Sequence, residues 1–553
     1  MKRYRSLLAV VAGTAIAAVG ITACGGGDDE SSGGSGSGKA GGAINIGTVG
    51  PDSYDPALFQ TVQASQALSP TYLPLTKYAA KEGKAGGEVV PGLADLPKVT
   101  DGGKTYAYTL RKGVKFSDGT PVKASDYEHA IKRTVGLKGP YSSFFTGIVG
   151  AEEFQKDPKV SNDIKGIETD DKTGKITITL KAPDGKFPFA QSVAYAAPVK
   201  AASSPIEDMT KKPPIGAGPY VLTVQDPSRQ FTLTRNKDFN VPGVEKGKVD
   251  KINGQVSDSV ERQTQDVISG KLDFTTEDPS GNLLPQVRQK YKDRIREDAN
   301  PPNTYYFFLN VTLAPFNKLE ARQAVNYAID SRALVRIFGG RLEPGCTFLP
   351  PALVGYKDFK CPYGDPSEPG DIPKAKQLVE KSGTKGQEVT VWTNNKSPRD
   401  KIAVYYAGVL EDIGYKTKIK TLDQQVYFDR IGTKSSKAQT GFTDWYQDFP
   451  HPADFFQPLL TGDSLQSTPT SNQGFVNDAT LNKKSEDLVQ QPDLEKAAPD
   501  WGDLDEYVVK DKAYIVPYGY EKATSFFSER MDFKNCAGVH PVYKNDWAQF
   551  CLK

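Results

Sequence analysis

The sequence predicts an α/β fold, and three patterns carry that expectation. Behind the turn residues Asp101-Gly102-Gly103, the side chains Tyr106, Tyr108 and Leu110 alternate with the period of a half-buried strand. A second turn, Asp118-Gly119, leads to Ser125 with Glu128 three residues on. At that spacing each side chain satisfies a free amide of a helix's first turn. Further along, Ala321, Ala324, Val325 and Ala328 fall at i, i+3, i+4 and i+7, an apolar helical stripe, with Asn317 and Glu320 at cap spacing ahead of it.

Taken in order, the chain opens on Lys2, Arg3 and Arg5 and an apolar run from Leu7 to Val19. That run is shorter than the roughly 20 residues of a membrane-spanning helix, so residues 1–23 read as an export signal. It ends in Ile21-Thr22-Ala23-Cys24, which resembles the lipobox of bacterial lipoproteins and implies lipidation of Cys24 as the mature N-terminus. Residues 24–42 are almost wholly Gly, Ser and Asp, a composition that buries no core and acts as a flexible tether. Its glycines follow no strand and end in no Gly-Lys-Ser/Thr, so they are not a phosphate loop.

About 510 residues follow the tether, enough for two to four domain-sized units. The net charge is +2, and no basic run beyond the leader suggests a nucleic-acid footprint. No second apolar stretch is long enough to cross a bilayer. Apart from Cys24 there are four cysteines, Cys346 and Cys361 fifteen apart and Cys536 and Cys551 likewise. Export puts them where disulfides persist, and the equal spacing favours pairing within each couple, although four cysteines allow three connectivities. The cysteines lack CxxC spacing and His129, His451 and His540 are scattered, so neither metal nor cofactor is expected.

The segment from Pro91 to Val135, PGLADLPKVTDGGKTYAYTLRKGVKFSDGTPVKASDYEHAIKRTV, resembles the signature of the extracytoplasmic solute-binding proteins, family 5, the peptide-, nickel- and oligosaccharide-binding components of ABC importers. Other stretches continue the resemblance. A first strand holds Ile44 and Ile46, and Ser53-Tyr54-Asp55-Pro56 is similar to the family's Ser-Leu-Asp-Pro motif. An alternating strand at Ile176, Ile178 and Leu180 lies behind an Asp-Lys-Thr-Gly turn. Ile215 to Tyr220 looks like a Gly-Thr-Gly-Pro-Tyr element with Ala217 in place of Thr, and Tyr306 to Gly340 forms a second matching block. The third, Gly441 to Leu460 (GFTDWYQDFPHPADFFQPLL), resembles a Trp-x-x-Asp-Tyr-x-x-Pro segment with Phe449 for Tyr. Arg322 and Arg332 read as structural or solvated rather than ligand-binding.

The resemblance implies a two-lobed, clam-shell periplasmic-binding-protein fold with an additional small domain. Lobe I would combine residues 43–65, 200–304 and 512–553, the small domain 66–199, and lobe II 305–511. In the peptide-binding branch the matching aspartate meets the ligand's α-ammonium group; that position is Asp448. Trp445, Tyr446 and Phe449 lie on the same ligand-facing stretch, and the resemblance adds the ring of Tyr141 and the backbone of Gln60, Thr61 and Val62. It implies a monomer tethered to the outer face of the cell membrane by lipid, binding peptide and delivering it to separate permease and ATPase subunits. The same fold could bind a nickel chelate or an oligosaccharide, or act as a peptide sensor. A secreted hydrolase is the reading from another class, but the chain has no HExxH and no GxSxG.

Overall fold

The computed structural model describes residues 39–158, 163–298, 302–395, 397–466, 469–536 and 538–553. The export segment and Cys24 lie outside the described residues. The tether's end does not: the Lys39 amide donates to the Leu552 carbonyl at 2.7 Å, and Gly42 N to the Asp250 carboxylate. Composition does not reveal this pairing, because it uses backbone groups that every residue carries.

Three sheets organise the chain. The first has five strands, in the order Phe274–Thr275, Ala43–Thr48, Lys251–Val256, Gln230–Arg235 and Tyr220–Asp226. The expected strand through Ile44 and Ile46 is at its interior, both side chains fully buried. The second sheet has four strands, Lys98–Thr100, Thr105–Thr109, Lys175–Thr179 and Ile167–Asp170. Here Tyr106, Tyr108, Ile176 and Ile178 turn one face onto helix Ala124–Gly136. The third has six strands, Leu342–Glu343, Ile515–Glu521, Asn303–Leu309, Thr440–Tyr446, Glu388–Asn394 and Lys416–Leu422. Each sheet packs a separate apolar core, the largest around Phe307, Tyr406, Phe442 and Trp501.

The strand Ile515–Glu521 lies just past residue 512, where the sequence reading returns the chain to lobe I. It pairs antiparallel with Asn303–Leu309 in the third sheet, and only the next strand, Ala523–Phe526, pairs with Ile295–Asp298. Asn303–Leu309 and Ile515–Glu521 therefore lie side by side in the third sheet. The Asn303 side chain ties them, donating to the Glu521 carbonyl and accepting from its amide.

Helix starts differ from the sequence expectation in an instructive way. The helix expected at Ser125 begins at Ala124, and its reciprocal cap is Asp126, whose carboxylate accepts from the Lys123 amide at 2.9 Å. Ser125 instead gives its amide and hydroxyl to Asp171, and Glu128 pairs with Lys132. Helix Leu319–Ala328 follows Lys318 and carries the expected buried stripe, but Asn317 is not its N-cap. Arg322 is structural, donating to the carbonyls of Lys512 and Phe316; Arg332 pairs with Asp330 at the surface.

The glycines of Ile215–Tyr220 serve close approach. A Cβ on Gly216 would lie 2.3 Å from the Thr71 carbonyl oxygen and one on Gly218 2.4 Å from that of Pro70. Both disulfides form within their couples, with Cα separations of 5.8 Å for Cys346–Cys361 and 5.6 Å for Cys536–Cys551. Each closes a 15-residue separation, for which chain entropy suggests about 3 kcal/mol.

Candidate functional site

The strand Thr440–Tyr446 alternates its side chains between two faces, so Trp445 and Tyr446 point apart. Tyr446 shares its hydroxyl with that of Tyr305 at 2.9 Å and donates to Glu521 Oε2 at 2.7 Å. Glu521 also pairs with Arg341, which in turn meets Asp278. Trp445 faces the other way, into a cavity of about 390 Å³.

Past the strand the chain turns through Asp448 and Phe449 into the helix Ala453–Leu460. That turn is built on Asp454, whose carboxylate accepts from the Asp448 amide at 2.9 Å and from Trp445 Nε1 at 3.2 Å. One buried carboxylate thus fixes both the indole and the backbone of Asp448. His451 beside it is buried and neutral, its pKa held down to about 3 by burial and then by the charge of Lys186. Its Nδ1 accepts from the Ala453 amide.

Asp448, Asp454, Trp445 and Phe449 form one wall of the cavity, with Gln457, Pro458, Pro469 and Ser471. Ser143, Phe144 and Lys186 bring a second wall from the part of the chain that surrounds the four-stranded sheet. The walls meet where Phe144 stands edge-on to Phe449, ring centroids 5.2 Å apart. Tyr141 packs behind Phe144 and stacks on Tyr195 at 4.5 Å. Its hydroxyl donates to the Gln60 carbonyl at 3.1 Å.

Gln60, Thr61 and Val62 are not among the described residues lining this cavity, and of the three the Gln60 carbonyl meets Tyr141. The amides of Gln60 and Thr61 are already held by the Asp52 carboxylate, Thr61 caps the short helix Val62–Leu68, and Val62 is its first residue. A second cavity of about 260 Å³ lies on the far side of Trp445 and shares Trp445, Pro469 and Ser471 with the first.

Loss of water raises the Asp448 carboxyl to about 6, and burial followed by the charge of Asp448 drives Asp454 well above the usual carboxylate range. Two carboxylates at low local dielectric hold their full charge only at a cost. Tyr141 and Tyr195 are raised chiefly by burial and also by Asp448, so their hydroxyls stay protonated.

Of the residues read from sequence, Asp448, Trp445 and Phe449 come together at the cavity, Tyr141 backs its wall, and Tyr446 is turned away. Asp454, Lys186 and Phe144 were missed. Asp454 did leave a signal, an acid set in the apolar run Ala453-Asp454-Phe455-Phe456.

The profile described as bacterial extracellular solute-binding proteins, family 5 Middle, matches residues 88–467. The chain is 27% identical over 448 residues to the dipeptide-binding protein DppE of Bacillus subtilis (strain 168), covering 77% of this chain and 78% of that protein. It is 28% identical over 461 residues to the dipeptide-binding protein of Escherichia coli (strain K12), covering 80% and 81%. The solved structure of clavulanic acid biosynthesis oligopeptide binding protein 2 superposes with a TM-score of 0.85 at 22% identity, over 93% of this chain and 96% of that one. At that identity the likeness concerns the fold, which is the two-lobed, clam-shell arrangement.

Proposed function

The chain belongs to the bacterial extracellular solute-binding proteins, family 5, and on that premise we propose that it captures di- or oligopeptides outside the cytoplasm for an ABC importer. The observation that carries this reading is the pair Asp448 and Asp454 at an aromatic-walled cavity between two parts of the chain. The names of the dipeptide-binding relatives support it. Asp448 takes the α-ammonium group, while Trp445, Phe449 and Phe144 enclose the first residue. Tyr141 links the Gln60 carbonyl to the same wall.

In this reading the five-stranded sheet forms lobe I, the six-stranded sheet lobe II, and the four-stranded sheet the small domain, with the return to lobe I near residue 522. The protein works as a monomer. Ligand bridges the two walls and so favours the closed state by its differential affinity, which is what permease and ATPase subunits would distinguish. The test is native mass spectrometry of protein purified without refolding. Released masses matching a mixture of short peptides are expected; a single non-peptide mass, or a bound metal chelate, would overturn the reading.

Attachment to the membrane follows from Cys24 as the lipidated residue. The described residues contain no helix long and apolar enough to cross a membrane, and cleavage of the leader would remove its one apolar run. Cys24→Ala should therefore move the protein from the membrane fraction to the surrounding fluid. Retention at the membrane would refute a lipid anchor at Cys24.

A further inference from the structure

The C-terminus fixes the place where the chain enters its folded part. The Lys39 amide donates to the Leu552 carbonyl at 2.7 Å, Gly41 N to the Lys248 carbonyl at 2.8 Å, and the Lys553 amide to the Arg530 carbonyl at 2.9 Å. Arg530 donates to the Ala43 carbonyl, and Ala43 lies beside Lys251 in the five-stranded sheet. The disulfide Cys536–Cys551 fastens the short helix Phe533–Cys536, which carries Lys534, to the same segment. The Lys248 ammonium lies 3.9 Å from Cys536 Sγ. Stretches far apart in sequence thus gather Lys39, Lys248, Lys251, Lys534 and Lys553 around one junction. Lys248 is half-buried and the other four are exposed, and none meets a carboxylate among the described residues. Most acids beside them are taken: Asp250 pairs with Arg235, Asp273 with Arg530 and Glu529 with Arg294. Glu245 and Asp532 are left, so the junction is basic.

Lys39 comes fifteen residues after Cys24, so even a fully extended chain keeps it within roughly 50 to 55 Å of a lipid there. The surface around Lys39 is therefore the one that reaches a bilayer with the least extension. Resting on the lipidation of Cys24 proposed above, we infer that this lysine face docks on the anionic surface of the membrane and turns the five-stranded sheet's part of the protein toward it. Each lysine near such a surface contributes about a factor of five in affinity. At physiological salt the Debye length is about 8 Å, and a charged patch without an acyl chain holds only reversibly. The lipid anchors, and the lysines orient. The competing occupant is the tether's own acidic run, Asp28, Asp29 and Glu30.

Cosedimentation of the exported Cys24→Ala chain with vesicles tests the face without the lipid. The chain should bind vesicles of phosphatidylglycerol and phosphatidylcholine in equal parts at about 0.01 M salt, where the Debye length is roughly 30 Å, and release them at about 1 M, where it is roughly 3 Å. It should ignore vesicles of phosphatidylcholine alone. Adding Lys39→Gln, Lys251→Gln, Lys534→Gln and Lys553→Gln should weaken binding at least about twentyfold, the effect of two lysines at the surface. Lys376→Gln, Lys401→Gln, Lys416→Gln and Lys434→Gln change the net charge equally at exposed positions around the six-stranded sheet, and should leave binding within about twofold. No binding to the anionic vesicles, or equal losses in the two quadruple variants, would overturn the inference. Binding that emerges only after Asp28→Asn, Asp29→Asn and Glu30→Gln would also overturn it, since the tether's acids would then cover the face. None of these results bears on the lipid at Cys24, which the membrane fractionation above decides separately.

Discussion

Asp448→Asn should weaken binding of a free-amine peptide by roughly a hundredfold to several-thousandfold, and that loss should largely disappear when the peptide is N-acetylated. Replacing the carboxylate keeps the shape but leaves a desolvated ammonium unpaired, which costs on the order of 3 to 5 kcal/mol, and each 1.4 kcal/mol is about a factor of ten. Acetylation deletes the same interaction from the ligand's side, so the two changes do not add, and titration of both proteins with both peptides closes the cycle. Equal losses on acetylation in wild type and variant would remove Asp448 from the amine site.

The same experiment has a pH dependence of fixed sign. Burial sets the Asp448 carboxyl at about 6 in the empty site, so below that pH a bound proton must leave before the ammonium is accepted. Affinity in the wild type should be highest near pH 7, fall toward tenfold per unit below about 6, and fall again above about 8, where the peptide's α-amino group loses its proton, whereas Asp448→Asn should lack the fall below 6. Stability moves the other way. An unfolded aspartate titrates near 3.9, so between about 4 and 6 the empty folded protein holds more protons than the unfolded chain and loses stability as pH rises. Ligand removes that penalty, and its stabilising effect on thermal unfolding should be larger at pH 7.5 than at pH 5.

The elements that were legible in the sequence are those whose periodicity answers to a single packed face. Tyr106 with Tyr108 and the stripe through Ala321, Ala324, Val325 and Ala328 were readable because a core fixes which side is buried. The same rule, applied strictly, separates Trp445 from Tyr446, since neighbours in a strand cannot both face one ligand; the motif match obscured this. Capping was misread where a distant partner intervened, as when Asp171 takes Ser125 from the first turn of its helix. Lys186 left no local signal at all. Its place at the cavity arises from residues some 260 positions away that fold against it, and no spacing rule reaches that far.

Asp55→Asn and Arg133→Met should each destabilise the fold by about 3 to 5 kcal/mol, a far larger effect than loss of any surface ion pair. The two side chains are 0% and 1% exposed and meet in two parallel bonds, Nη1 to Oδ1 at 3.0 Å and Nη2 to Oδ2 at 2.7 Å. The remaining valences are filled as well. Asp55 accepts from the amides of Ala57 and Met209, and Arg133 donates to the carbonyls of Pro205 and Glu207. The network thus joins the segment leading to Gln60, the helix of the small domain and the loop at residues 205 to 209. Removing either ion leaves the other charge buried without its partner. Unlike a pair in a purely apolar pocket, this one is not replaced by two hydrocarbons, because four backbone groups would lose their partners too. The double variant Asp55→Leu with Arg133→Met should therefore recover only part of the loss. Urea unfolding would show it as midpoints lowered at constant slope, and full recovery in the double variant would mean that neither the ion pair nor its backbone bonds stabilise the fold beyond what packed hydrocarbon supplies.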